Sequence, residues 1–241
     1  MSVSAVTTQL TPAQVAEYHR EGFLSIPQLA PPDDVARLRA ILDDLFAQHR
    51  TLPPDVASEL GSQRDGSGPV SIPQIIAPSR LRPELLESQY FRNARTIARQ
   101  LLGDDCNFQG DHAIYKPPQN RKETPWHQDQ AYWAPGTTTF SANFWMPLLD
   151  CPVEAGCMQF IPRSHLGDLL PHHRVDHDPK MHTLMTDHVD LRRAVPCPLA
   201  AGGATIQGLK TLHYTGPNLT DNPRPAYILT FGYEWLPETG A

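Results

Sequence analysis

The segment Thr124-Pro125-Trp126-His127-Gln128-Asp129-Gln130 sets an imidazole and a carboxylate two residues apart. In an extended strand such residues project from one face, so His127 and Asp129 can each offer a bond to the same metal ion. A hydrogen-bonded pair or a surface turn would read the same way. A second imidazole, His213, stands in Leu209-Lys210-Thr211-Leu212-His213-Tyr214-Thr215-Gly216 at the end of a predicted strand. Its plain alternative is a structural histidine satisfied by hydrogen bonds. Arg224 comes eleven residues later, just before the apolar strand Ala226 to Phe231. A guanidinium entering such a strand needs an anion, and its planar fork suits a carboxylate bound through two oxygens. A structural ion pair would also satisfy it. Taken jointly, two histidines and a carboxylate on a β-scaffold form the facial triad that holds Fe(II) in non-haem oxygenases. Three protein ligands leave three octahedral positions, enough for a chelating 2-oxo acid and dioxygen. Arg224 would then hold the far carboxylate of that acid.

Such a set needs a rigid scaffold, and the chain after Gly103 has the texture of one. Segments rich in aromatic and β-branched residues, 106–116, 139–149, 155–161, 203–213 and 225–232, alternate with Pro/Gly turns. That is the pattern of an all-β sandwich or barrel. Before Gly103 the signals are mostly helical. Thr11 caps a short helix, Pro12 takes its first position, Gln14 closes a capping box and Gly22 ends it. Phe23 to Ile26 reads as a strand. A second helix opens at Pro32-Asp33-Asp34, with Val35, Leu38, Ile41, Leu42, Leu45 and Phe46 in one apolar stripe. Its two aspartates suit the positive end of the helix dipole. Residues 51–69 read as a polar loop, and a third helix covers Asn93 to Leu102 with Gly103 as terminator. The expectation is one domain over residues 1–241, mainly β. Its helical part covers about 11–103 and packs on one face of a β-core covering about 104–235. Residues 163–200 lack periodicity and hold six of the eleven histidines. An insertion of that length is usually functional, often a lid. The irregular histidine spacing reads as a polar loop in preference to a second metal site.

With these residues in view, the chain resembles the phytanoyl-CoA dioxygenase family of Fe(II)/2-oxoglutarate-dependent oxygenases. The likeness runs from about Thr11 to Gly232. It is carried by Tyr115-Lys116-Pro117-Pro118, by Trp126-His127-Gln128-Asp129, by Glu154-Ala155-Gly156-Cys157-Met158-Gln159-Phe160-Ile161-Pro162-Arg163-Ser164-His165, and by His213-Tyr214-Thr215-Gly216-Pro217-Asn218 with Arg224. The resemblance implies a double-stranded β-helix (jelly roll) decorated by N-terminal helices. It implies His127, Asp129 and His213 as iron ligands and Arg224 as the clamp on 2-oxoglutarate. It further implies Gln109 near the cosubstrate, Trp145 as an aromatic wall of its pocket, and Thr215 as a hydroxyl bonding its carboxylate. The implied activity oxidises a small organic molecule and releases succinate and CO2, with ascorbate as a possible supporting reductant. Arg163 departs from the pattern, standing where the family usually has Gly before Ser-His. Related halogenases have a small residue in place of the carboxylate ligand, so Asp129 favours hydroxylation or a similar oxidation.

Composition narrows the field by exclusion. The chain has 241 residues and 20 Lys plus Arg against 26 Asp plus Glu, a net charge of −6, which disfavours nucleic acid as a partner. No apolar run is long enough for a membrane span, and 25 prolines preclude a long helical bundle. None of Cys106, Cys151, Cys157 and Cys197 forms a C-x-x-C pair, so the expectation is free, mostly buried thiols. The first residues lack an apolar leader and the last four match no peroxisomal or retention address, so the expected location is cytoplasmic. Trp126, Tyr132 and Trp133 flank the first motif and are candidates for the substrate mouth. Basic residues of the insertion, which would suit a CoA phosphate, are offset by Asp168, Asp176, Asp178, Asp187 and Asp190. The expected partners are thus a small-molecule substrate and dioxygen. Two rivals remain: a jelly-roll hydrolase or isomerase using another metal, and a silent binding protein of the same fold.

Overall fold

The structure is a computed structural model that describes residues 5–60, 72–133, 140–179 and 181–233. Helix α1 (Pro12–Glu21) begins as expected: Thr11 accepts from the Gln14 backbone, the Gln14 side chain accepts from the Thr11 backbone, and Gly22 closes the helix in the left-handed region. Strand β1 (Phe23–Ile26) leads into helix α2 (Pro32–Ala47). Strands β2 (Ala57–Glu59) and β3 (Pro73–Ile76) and helices α3 (Pro78–Leu81) and α4 (Gln89–Leu102) follow. The remaining strands are β4 (Asn107–Lys116), β5 (Thr124–His127), β6 (Ser141–Pro147), β7 (Met158–Phe160), β8 (His173–Arg174), β9 (Leu184–Met185), β10 (Val195–Cys197), β11 (Ala204–Gly208), β12 (His213–Thr215) and β13 (Arg224–Gly232).

Seven strands form one antiparallel sheet in the order β1-β11-β6-β13-β4-β3-β2, and four form a second in the order β10-β7-β12-β5. Together they make the jelly roll. Period-two alternation divides the larger sheet between two environments. Ile206, Phe144, Leu229, Tyr227 and Ala113 face the helices and join Leu38, Leu42, Leu45, Ile97 and Leu101 in one buried cluster. The Tyr90 hydroxyl of α4 donates to the Phe144 carbonyl at 2.8 Å, tying that helix to the sheet centre. The opposite face looks toward the smaller sheet. The register there aligns Gln207, Asn143 and Thr230 in one cross-strand row and Thr205, Trp145, Ile228 and His112 in the next. Arg224 and Lys116 sit opposite each other at the end.

Three expectations need correction. The part before Gly103 holds more strand than expected: β1 stands where a strand is expected, but β2 and β3 also join the large sheet. The predicted strand 203–213 is two strands in different sheets. After Gly208 the chain turns (Thr211 N–H donates to the Gly208 carbonyl at 3.0 Å) and crosses over, so His213 begins β12. The insertion 163–200 is not structureless: it holds the β8–β9 hairpin and β10, which pairs with β7. Residues 61–69 of the predicted loop, position 139 of one predicted strand and residues 234 and 235 of the core lie outside the described residues.

Candidate active site

Strand β5 is the edge of the smaller sheet, where Pro125 removes no ladder bond that the sheet needs. It ends at His127. Gln128 stays extended (φ −116°, ψ 128°), and Asp129 opens a single 3-10 turn ending at Tyr132. The expected strand therefore stops two residues early. Because Gln128 keeps the pleat, His127 and Asp129 still project to one side. Cross-strand pairing supplies the third group: His213 of β12 lies directly opposite His127, with ring centroids 4.2 Å apart.

Asp129 Oδ1 is 3.4 Å from His127 Nε2 and 3.6 Å from His213 Nε2. One ligand atom from each residue lies within 4.8 Å of the others. Neighbouring ligand atoms held about 2.1 Å from one ion sit about 3 Å apart, so the cluster is close to a closed coordination face. Each ring is oriented from behind. His127 Nδ1 donates to the Pro125 carbonyl at 2.7 Å and His213 Nδ1 donates to the Thr211 carbonyl at 2.8 Å. A carbonyl can only accept, so Nδ1 carries the proton and the Nε2 lone pair faces Asp129. Burial, reinforced by His127, pushes His213 down to about 4, which keeps it neutral and ready to ligate near neutral pH. Burial alone would raise Asp129; in acid, where the imidazoles carry a proton, the charge of His213 and the contact with His127 outweigh it and hold the carboxyl well below the usual carboxylate range. Asn143 Nδ2 donates to Asp129 Oδ2 at 2.7 Å, and the Thr230 hydroxyl donates to Asn143 Oδ1 at 2.7 Å. The chain Thr230–Asn143–Asp129 thus turns Oδ1 toward the histidines.

The triad opens into a cavity of about 210 Å³ whose lining includes Arg224, Trp145, Thr215, Met158 and Ile228. Arg224 is 2% exposed, and its Cζ lies 5.3 Å from the Trp145 ring centroid. Its Nε and Nη1 are buried without a hydrogen-bond partner. A buried cation with orphaned donors is costly unless an anion completes it. Lys116, its cross-strand neighbour, is not that anion but a second cation. Burial, then Arg224, lower its pKa well below the usual value. Its Nζ donates to the Thr215 carbonyl at 3.1 Å, to Thr215 Oγ1 at 3.0 Å and to the Gly216 carbonyl at 2.6 Å. Because the Thr215 oxygen accepts from Lys116, its own proton is available to a ligand oxygen.

Trp145, Thr215 and Arg224 are therefore brought together with His127, Asp129 and His213 around one cavity. Gln109 is not. It is exposed, and its amide donates to the Gly232 carbonyl at 3.2 Å. The ladder steps from Gly110–Thr230 to Phe108–Phe231, leaving Gln109 as the unpaired residue of a β-bulge. The ladder is regular from Lys116 to Gly110, so Gln109, an odd seven residues from Lys116, also falls off the face that carries Ile114 and His112. The β4 side chains that do reach the cavity are His112 and Ile114. Sequence reasoning also missed Asn143, although it stands two residues before Trp145 and so shares its face. Of the aromatic trio, Tyr132 lines the cavity, Trp126 stacks on Tyr214 with centroids 5.2 Å apart, and Trp133 is exposed. Arg163 lies at φ 64°, ψ 12°, a left-handed position that glycine adopts more readily.

The family model for phytanoyl-CoA dioxygenase (PhyH) matches residues 18–226. The chain belongs to the phytanoyl-CoA dioxygenase family. Among curated proteins, the chain is 26% identical over 167 residues to a probable phytanoyl-CoA dioxygenase of Caenorhabditis elegans, covering 64% of this chain and 53% of the relative. It is 29% identical over 237 residues to the L-proline trans-4-hydroxylase of Streptomyces griseoviridis, covering 90% and 76%. The chain spans about half the length of the curated phytanoyl-CoA dioxygenase relatives it matches. Among solved structures, EvdO2 from Micromonospora carbonacea var. aurantiaca, complexed with 2-oxoglutarate, is 37% identical with a TM-score of 0.84, covering 100% of this chain and 96% of the other.

Proposed function

We propose that the chain is an Fe(II)- and 2-oxoglutarate-dependent oxygenase that oxidises a small organic metabolite, releasing succinate and CO2. The observation that carries this reading is the pairing, in one cavity, of a His127–Asp129–His213 face with a buried Arg224 whose Nε and Nη1 lack partners. Two imidazoles and a carboxylate are the donor set for non-haem Fe(II). The orphaned guanidinium supplies what the far carboxylate of a 2-oxo dicarboxylic acid requires. A hydrolase or isomerase on the same scaffold needs no such clamp.

In this reading His127, Asp129 and His213 hold the iron. Asn143 fixes which oxygen of Asp129 binds. Arg224 and the Thr215 hydroxyl hold the cosubstrate carboxylate, and Trp145 walls its pocket and excludes water from the guanidinium. Lys116 fixes Thr215 and the turn at Gly216. Bound Fe(II) and 2-oxoglutarate supply the oxidising power that activates dioxygen against an unreactive C–H bond. Asp129 occupies the position that a halide needs, which favours hydroxylation. The helices and the jelly roll act as one unit, since β1, β2 and β3 complete the sheet that floors the cavity. Among the described residues no helix is long and apolar enough to cross a membrane. The four free, buried cysteines fit a reducing compartment such as the cytoplasm.

The test is anaerobic titration with Fe(II) and 2-oxoglutarate, read by the weak visible charge-transfer band of the chelate. The band is expected to saturate at one equivalent of iron and to vanish in His127→Ala and His213→Ala. A wild-type protein that binds iron yet gives no band on adding 2-oxoglutarate refutes the reading.

A further inference from the structure

Two polar side chains on the cavity wall have no role in holding iron or cosubstrate. Gln207, on β11, is 3% exposed, and its Oε1 has no hydrogen-bond partner. Thr183, just before β9 in the histidine-rich insertion, is also 3% exposed, and its Oγ1 has none either. Both line the cavity that contains the triad. Leaving such groups desolvated and unpaired costs stability unless a ligand completes them. Gln207 pairs across strands with Asn143, the residue that holds Asp129, so it lies beside the reacting centre. Thr183 stands at the outer end, because it also lines a neighbouring cavity of about 370 Å³ that shares Leu60 and Thr124 with the first. The two groups therefore bracket the path from that mouth to the iron.

We propose that Gln207 and Thr183 form the recognition subsite for the oxidised substrate, and that this substrate is an uncharged, hydroxyl-rich molecule. The Gln207 carbonyl oxygen can only accept, so the ligand must present a donor there; the Thr183 hydroxyl pairs with a donor or an acceptor. A hydroxyl group satisfies both. Among the other lining residues, Ile114, Ile228, Leu60 and the Tyr132 ring offer apolar surface to the C–H faces of such a molecule, and Gln74 and Thr124 add uncharged polar groups. Asp129 and Arg224 are the charged lining residues among those described, and both are engaged by iron and cosubstrate. The outer cavity carries Arg121, Lys122, Glu123 and Asp176, but a zwitterion seated in the inner cavity would find no free counter-charge there, at the cost of a desolvated ion. The subsite assigns a role to the insertion: Thr183 is its contribution to specificity. This inference rests on the oxygenase reading for the identity of the reaction, but the binding of a polyol does not require it.

The test uses the full chain with methyl β-D-glucopyranoside and myo-inositol as uncharged probes, and L-proline and ectoine as zwitterions. Saturation-transfer NMR on the metal-free protein reads binding directly; a shift of the anaerobic Fe(II)–2-oxoglutarate band reads it at the centre. At least one polyol is expected to give both signals and the zwitterions neither. Thr183→Val and Gln207→Met, which keep shape, should each weaken polyol binding about tenfold, whereas Thr183→Ser should retain it. All three variants should form the charge-transfer band as the wild type does. Silence from both polyols, a zwitterion signal of equal strength, wild-type polyol binding in the Val and Met variants, or a Ser variant as weak as Val overturns the proposal. Failure of the band in the wild type overturns the oxygenase reading instead and leaves the NMR result to judge the subsite.

Discussion

Replacing Asn143 by alanine tests whether the metal face is pre-set by the protein. In the structure Asp129 Oδ2 accepts a 2.7 Å bond from Asn143, while Oδ1 faces both imidazoles. A hydrogen bond to an ionised carboxylate contributes about 1.5–3 kcal/mol. Without it the carboxylate can rotate, and each ion that binds must again fix it. At about 1.4 kcal/mol per decade, iron affinity should fall about 10–100-fold, the range found when residues orienting metal ligands are removed. Thr230→Val removes only the bond behind Asn143 and leaves the Asn143–Asp129 contact in place, so its effect should be several-fold smaller. The assay is anaerobic calorimetric titration with Fe(II), with far-UV circular dichroism confirming the fold of each variant. The apparent KM for 2-oxoglutarate should stay near that of the wild type, because Arg224 and Thr215 are untouched. A well-folded Asn143→Ala protein with iron affinity within about twofold of wild type would falsify the positioning argument.

Three further perturbations follow from the same contacts. Arg224→Met removes a buried guanidinium with unpartnered donors, so the ligand-free protein should be no less stable than wild type. A saturating 2-oxo acid at about 100 times its Kd adds about 2.7 kcal/mol, or about 5–10 °C in Tm, to the iron-loaded wild type and should add nothing to this variant; an equal shift in both refutes the clamp. His213 is pushed down to about 4 from about 6.5 in the unfolded chain, so between those values the unfolded chain binds a proton that the folded chain refuses. Metal-free stability should therefore be fullest above pH 6.5 and fall by up to about 3 kcal/mol as pH drops toward 4. Urea midpoints at pH 7 and 4.5 measure this, and His213→Asn should flatten the difference. Gly156 has φ +78°, and a Cβ there would lie 2.3 Å from the Gly216 carbonyl oxygen. Gly156→Ala should cost about 2–5 kcal/mol, read as a loss of thermal stability.

The chemistry was legible because it depends on residue types. Two imidazoles, a carboxylate and a guanidinium before an apolar strand are unusual company wherever they stand. The fold class was legible from short aromatic and β-branched runs between Pro/Gly turns, even though β6, β11 and β13 are buried on both faces and show no alternation. Cross-strand register is what spacing does not encode. Gln207, Asn143 and Thr230 meet in one row only because three strands pair in a particular alignment. Gln109, expected near the cosubstrate from the family resemblance, stands an odd seven residues from Lys116 and so leaves the cavity face. The short strands β2, β3, β8, β9 and β10 were missed because three or four residues, or fewer, hold too little pattern to read. Their stability comes from the neighbours they pair with.

The anchoring of Gln128 bears on how new activities can be grafted onto this scaffold. Its backbone N–H donates to His172 Nε2 at 3.0 Å, its side-chain oxygen accepts from the Leu170 backbone at 2.9 Å, and its amide donates to the Lys210 carbonyl at 2.7 Å. The root of the insertion is thus stapled to the residue lying between two ligands, whereas the hairpin that bears Thr183 begins just beyond the staple. Exchange of 173–187 between homologues can retune substrate choice and spare the centre. A graft whose seam falls at 170–172 would unmoor it.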